Sequence, residues 1–192
     1  MPGALPVEHV AAPGEVPAFV AAPGWTLHQF EVPAGSEPPG PTLPDRAFAR
    51  CAQAIRAYRF ADPRVTQIHV DPTTPLLGRD ILMDVQAPGL RLLAGLRIGA
   101  VLDGCDHPPV AGTTSFGIRV DTLAGHFLHG SEWIVATKAH ASGEVRLRIV
   151  ARWRMARLPT WWMVPGFHLF GETLRVRWRR QAARRVRALA TR

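Results

Sequence analysis

Apolar and polar residues alternate with a period of two from Glu144 to Met155. Val145, Leu147, Ile149, Ala151, Trp153 and Met155 fall on one face, and Glu144, Arg146, Arg148, Val150, Arg152 and Arg154 on the other. Successive side chains of an extended chain point to opposite sides, so this run predicts a strand with one buried and one largely charged face. Segments near 66–70, 79–86, 90–102, 112–121 and 131–140 have strand character too. They are separated by Asp71-Pro72, Ala87-Pro88-Gly89, Asp103-Gly104 with Pro108-Pro109, and Ala141-Ser142-Gly143. Gaps this short join antiparallel neighbours, and a meander is the economical topology. Trp25 to Val32 alternates less regularly, through Trp25, Leu27, Phe30 and Val32, and is expected to pair with the same sheet.

Helical spacing appears twice. After Pro44, Asp45 can cap free backbone N–H groups, and Phe48, Cys51, Ala52, Ile55 and Tyr58 or Arg59 recur at three- and four-residue steps, predicting a short helix over 46–60 that Asp62-Pro63 stops. Beyond Leu158-Pro159 and the Trp161-Trp162-Met163 turn, Phe167, Phe170, Leu174, Trp178, Ala182, Val186 and Leu189 form one stripe, predicting a long C-terminal helix. The fold class expected is α+β: a curved antiparallel sheet of about six to seven strands packed on that helix, a helix-grip arrangement with a cavity between the two. A two-layer sandwich with no cavity is the alternative. Ten of the eighteen prolines lie in residues 1–44, a composition suited to extended chain. Residues 1–24 are expected as a flexible tail and 25–192 as one domain.

Composition adds little to the fold but localises the charge. Residues 141–192 hold thirteen arginines against Glu144 and Glu172, a net of +11 within a total of +8, so residues 1–140 are slightly acidic. The only lysine is Lys138. No apolar run approaches the roughly 20 residues needed to span a bilayer, and the first residues lack the basic and apolar regions of a secretory signal, so a cytoplasmic location is expected. Cys51 and Cys105 have no zinc-site or disulfide-framework spacing. Cys51 falls on the apolar face of the first helix, and Cys105 beside Asp106 and His107 in a turn is a candidate reactive thiol.

Phe116-Gly117-Ile118-Arg119-Val120-Asp121-Thr122-Leu123-Ala124-Gly125-His126, followed by Gly130-Ser131-Glu132-Trp133, resembles the signature of the family catalogued as domain of unknown function 1990, approximately FxYGTLxGHxxxGEExF. The likeness covers roughly residues 45–190. It departs where the family's Tyr-Gly is Val120-Asp121 and where the first glutamate of Gly-Glu-Glu is Ser131, which puts in doubt any role for that tyrosine hydroxyl or that carboxylate. The resemblance implies a START-like, Bet v 1-like helix-grip fold that binds hydrophobic ligands, and it implies no particular reaction.

Several residues then carry candidate chemistry. His126 and Glu132 flank a predicted bend, where they could act as base and orienting carboxylate, with Asp121 close by in sequence. The competing reading has His126 closing a turn and Glu132 balancing arginines. Trp133, Trp153, Trp161, Trp162 and Phe170 are candidate walls for an apolar ligand. His126, His129 and His140 match no compact metal-ligand spacing, and no metal or cofactor is expected. No GxGxxG, Walker or nucleophile-elbow sequence occurs, so hydride and phosphoryl transfer have no support. Arg177, Arg180 and Arg184 on the C-terminal helix could meet anionic lipid or nucleic acid, although no aromatic residues interleave with them as stacking platforms. The leading expectation is a domain that holds an apolar or amphipathic small molecule between sheet and helix. The alternatives are an enzyme using that space and a binder of anionic surfaces.

Overall fold

A computed structural model of the protein describes residues 19, 21–61, 63–64, 66–87, 90–104, 112–156, 180–182 and 184–188. Its elements run β1 (Thr26–Ser36), α1 (Ala47–Arg56), β2 (Thr66–Val70), β3 (Asp80–Ala87), β4 (Leu90–Asp103), β5 (Thr113–Thr122), β6 (Leu128–Ala139) and β7 (Glu144–Met155). A further helical stretch occupies 180–182 and 184–188.

All seven strands form one curved antiparallel sheet in the order β1-β7-β6-β5-β4-β3-β2. From β2 to β7 each strand pairs with its sequence neighbour, and β1 then closes on β7, with Phe30 opposite Ile149 and Val32 opposite Leu147. Two irregularities bend the ladder, one in β1 between Pro33 and Gly35 and one in β4 between Ile98 and Ala100. An extra residue in one strand raises the local twist.

Register fixes the two faces. Phe116, Ile118, Val120, Ile134, Ala136, Val145, Leu147 and Ile149 share the concave side with Ile81, Leu96 and Ile98. Phe48, Cys51 and Ile55 of α1 close on them, as do Ala182 and Val186. The convex side holds a smaller cluster of Trp133, Val135 and Val150 capped by Phe19, which is only 7% exposed. Part of the predicted tail is therefore anchored: Phe19 is packed against the sheet, while residues 1–18 lie outside the described residues.

Two expectations concern helices. The C-terminal helix is described only at 180–182 and 184–188, and positions 167–179 of the predicted stripe lie outside the described residues. Asp45 does not cap α1. The N-cap position belongs to Arg46, which makes no side-chain capping bond, and Asp45 adopts φ 56 with its carbonyl accepting from Arg50. The free N–H of Phe48 instead donates to Glu37 Oε1 at 2.6 Å, so a residue eleven positions upstream caps the helix. Among the described residues, no helix is long and apolar enough to cross a membrane.

Candidate functional site

α1 ends in a way that aims an aromatic side chain at the sheet. Tyr58 N donates to Ile55 O at 2.9 Å and Arg59 N to Ala54 O at 2.8 Å, the paired bonds of a Schellman termination. That geometry places Tyr58 in the left-handed region at φ 52, where glycine is usual and a side chain costs roughly 1 kcal/mol or more. Burial compensates: the Tyr58 ring is 3% exposed and its centroid lies 4.5 Å from that of Phe60. Burial, followed by the charge of Glu132, holds the phenol well above its ordinary pKa. The neutral hydroxyl and the carboxylate are thus electrostatic neighbours inside the concave face.

Glu132 reaches that face by strand parity. Its register partners are Val120 on β5 and Ala151 on β7, and Ala151 in turn faces His28 on β1. One row across the sheet therefore reads His28, Ala151, Glu132, Val120. In the next row Thr26 pairs with Trp153, and Trp153 with Gly130. The His28 and Trp153 rings stack at 5.8 Å with an interplanar angle of 5°. Ala151 and Gly130 are the small residues of these two rows, between the rings and Glu132.

His126 and Asp121 do not complete this group. His126, 6% exposed in the β5–β6 connection, accepts at Nδ1 from the Leu128 N–H at 2.9 Å, while its own N–H donates to Leu123 O. A ring nitrogen in that role is unprotonated, and burial lowers the imidazole pKa to about 4. Acting as a base at Nδ1 would require this turn to open. Asp121 stands opposite Ser131 on the convex face, where Ser131 Oγ donates to it at 2.6 Å and Arg119 Nη2 at 2.9 Å. The three residues expected to gather are therefore split between a turn and two faces of the sheet.

The remaining candidates divide in the same manner. Trp153 is concave, but Trp133 is buried in the convex cluster and cannot line the same space. His140 lies beyond the far end of β6, bonded through Nε2 to Thr114 Oγ1 at 2.8 Å, away from His126 and His129. Arg180 and Arg184 are exposed, whereas Arg185 and Arg187 donate to the carbonyls of Arg59 and Pro33 and fasten the helical stretch down. Trp161, Trp162, Phe170, Arg177 and Cys105 lie outside the described residues. Cys51 is fully buried, and desolvation pushes its thiol up to about 12, consistent with a packing role. Periodicity assigned Tyr58 only to a packing stripe. Its inward aim depends on the helix termination, which the local sequence does not advertise because glycine is absent from it.

Sequence comparison decides the family. The family model described as "Domain of unknown function (DUF1990)" matches residues 10–188. The chain belongs to that family. No curated protein matches this family member in sequence. Among solved structures, norcoclaurine synthase from Thalictrum flavum, a point mutant in complex with a transition-state analogue, is similar with a TM-score of 0.50 and 9% identity, over 87% of this chain and 93% of that one. Ara h 8.0201 is similar with a TM-score of 0.44 and 12% identity, over 84% and 98% of the two chains. Norcoclaurine synthase is a Bet v 1-like protein, and its likeness, one of fold alone, agrees with the helix-grip arrangement.

Proposed function

We propose that this DUF1990 domain binds an amphipathic small molecule on its concave face, with the polar end of the ligand donating to Glu132 beside Tyr58. The observation that carries this reading is the row of His28, Ala151, Glu132 and Val120, which sets one half-buried carboxylate in an otherwise apolar, aromatic-edged floor. A carboxylate so placed offers a charged acceptor among apolar side chains and confers orientation on whatever shares the space. Apolar walls supply affinity and the carboxylate supplies selectivity.

Native mass spectrometry of the purified protein should show a retained small molecule or saturable uptake of a neutral apolar probe such as N-phenyl-1-naphthylamine. Ala151→Phe raises the floor between His28 and Glu132 and should reduce probe affinity at least about ten-fold while the protein stays folded. Unchanged probe binding in that variant would count decisively against the concave site.

A further inference from the structure

The convex face carries a separate feature. Arg152 is 4% exposed, and its Nε and Nη2 have no hydrogen-bond partner among the described residues. Those two N–H groups form the side-on fork with which a guanidinium grips carboxylate or phosphate oxygens. Other convex arginines commit this fork internally: Arg91 to Asp84, Arg97 to Asp80 and Arg119 to Asp121. Leaving it open on a buried cation is unfavourable, so the arrangement favours an anion from outside.

The surroundings suit an anion. Trp25, in the turn before β1, lies with its ring centroid 4.8 Å from the guanidinium carbon of Arg152 and 4.9 Å from that of Arg154. Register sets Ser131 beside Arg152, and exposed His129 beside Arg154. The carboxylate one strand further, Asp121, is already held by Arg119 and Ser131. Among the described residues, no carboxylate pairs with Arg152 or Arg154.

We propose that Arg152, Arg154 and Trp25 form a binding site for a phosphate group, with Trp25 as its movable cover. Phosphate takes the Nε/Nη2 fork of Arg152, Arg154 closes from the next convex position, and the indole swings aside. Trp25 stands in a turn outside the strand ladder, its backbone N–H donating to Ala22 O at 3.1 Å and Gly24 before it at φ +74. Two guanidiniums match the charge of a phosphate dianion better than that of one carboxylate. A free phosphate ester and a phospholipid headgroup present the same oxygens.

The test titrates the full chain with inorganic phosphate at constant ionic strength, with chloride as reference, and follows tryptophan emission. The expected result is a saturable change that Trp25→Phe abolishes and that Arg152→Met weakens about ten-fold or more. Arg152→Met should fold with an unchanged or higher Tm, since it replaces an unsatisfied buried charge by an apolar side chain of similar reach. Arg154→Ala is an exposed substitution and should weaken phosphate as well. A phosphate response equal to that of chloride, or one that survives both arginine substitutions, overturns the proposal. Phosphatidylcholine vesicles with and without phosphatidic acid separate the sources: sedimentation that requires phosphatidic acid and Arg152 assigns a headgroup, and phosphate binding without sedimentation assigns a free ester.

Discussion

Lys138 Nζ donates to Glu37 Oε2 at 2.8 Å, with both side chains fully buried and the two residues 101 positions apart in sequence. Lys138 also donates to Pro41 O at 2.7 Å, and Glu37 Oε1 accepts from Phe48 N. The pair thereby joins β6, the segment after β1, and the first turn of α1. Burial alone would raise the Glu37 carboxyl, but the bonds from Lys138 and Phe48 and the ammonium charge together hold it below its ordinary value of 4.5.

Breaking one half of this pair leaves the other charge buried. Lys138→Met or Glu37→Gln should each cost about 3–5 kcal/mol in urea unfolding, and Lys138→Met with Glu37→Leu should recover much of the loss. A depressed carboxyl pKa adds stability that is present above pH 4.5 and lost as pH falls through the lower folded value. Wild type should therefore weaken below about pH 4.5 through this group, and the double variant should lose that part of the slope. Single variants as stable as wild type would show that the pair does not hold these elements together.

His126 titrates in a different window. Its folded pKa of about 4 lies below the ordinary 6.5, so the unfolded chain binds the extra proton between those values. Stability should be full above pH 6.5 and fall by up to about 3 kcal/mol on descent towards pH 4. His126→Asn, whose amide oxygen can still accept from Leu128 N–H, should flatten this slope and keep the turn. Urea unfolding at pH 7 and pH 4.5 reads the difference, and equal slopes in both proteins would remove His126 as its source.

Two glycines separate crowding from backbone conformation. A Cβ on Gly130 would stand 2.1 Å from Arg152 O with no unusual φ, whereas one on Gly143 would stand 1.8 Å from Glu37 O at φ +73. Gly130→Ala should cost about 2 kcal/mol or more by pushing β6 from β7, and Gly143→Ala should cost more, because strain adds to the same clash. Thermal unfolding ranks them. Gly143→Ala as mild as an ordinary surface change would contradict the close approach of the Glu37 segment.

Much of the sheet is readable from period-two patterning. The run predicted at 66–70 is Thr66–Val70, and the alternating run from Glu144 to Met155 is β7, because Ile68 and Val70 in one and Val145, Leu147 and Ile149 in the other face the concave side. Parity alone separates Asp121 from Val120 and Ser131 from Glu132, which is why residues adjacent in the signature end on opposite faces. Patterning could not show that Trp133, an aromatic in a strand with apolar residues on both faces, belongs to the convex cluster. Nor could it reveal Glu37 as the cap of α1. Asp45 has the better local position, and the actual partner is selected by the long-range bond to Lys138. The Arg152 fork was hidden for a related reason, since charge alternation along β7 does not tell which arginines find carboxylates.

The strand order also bears on synthesis. Among the described residues β7 is the last strand made, yet it lies inside the sheet between β1 and β6, and it sets Arg146 against Glu31 from 115 positions away. Until β7 leaves the ribosome, β1 has no neighbour and β6 exposes a bare edge. Closing so long a loop comes late and at an entropic cost. A nascent chain halted before Glu144 would therefore carry an open, aggregation-prone meander, so this domain depends on rapid completion or on shielding of β6 during translation.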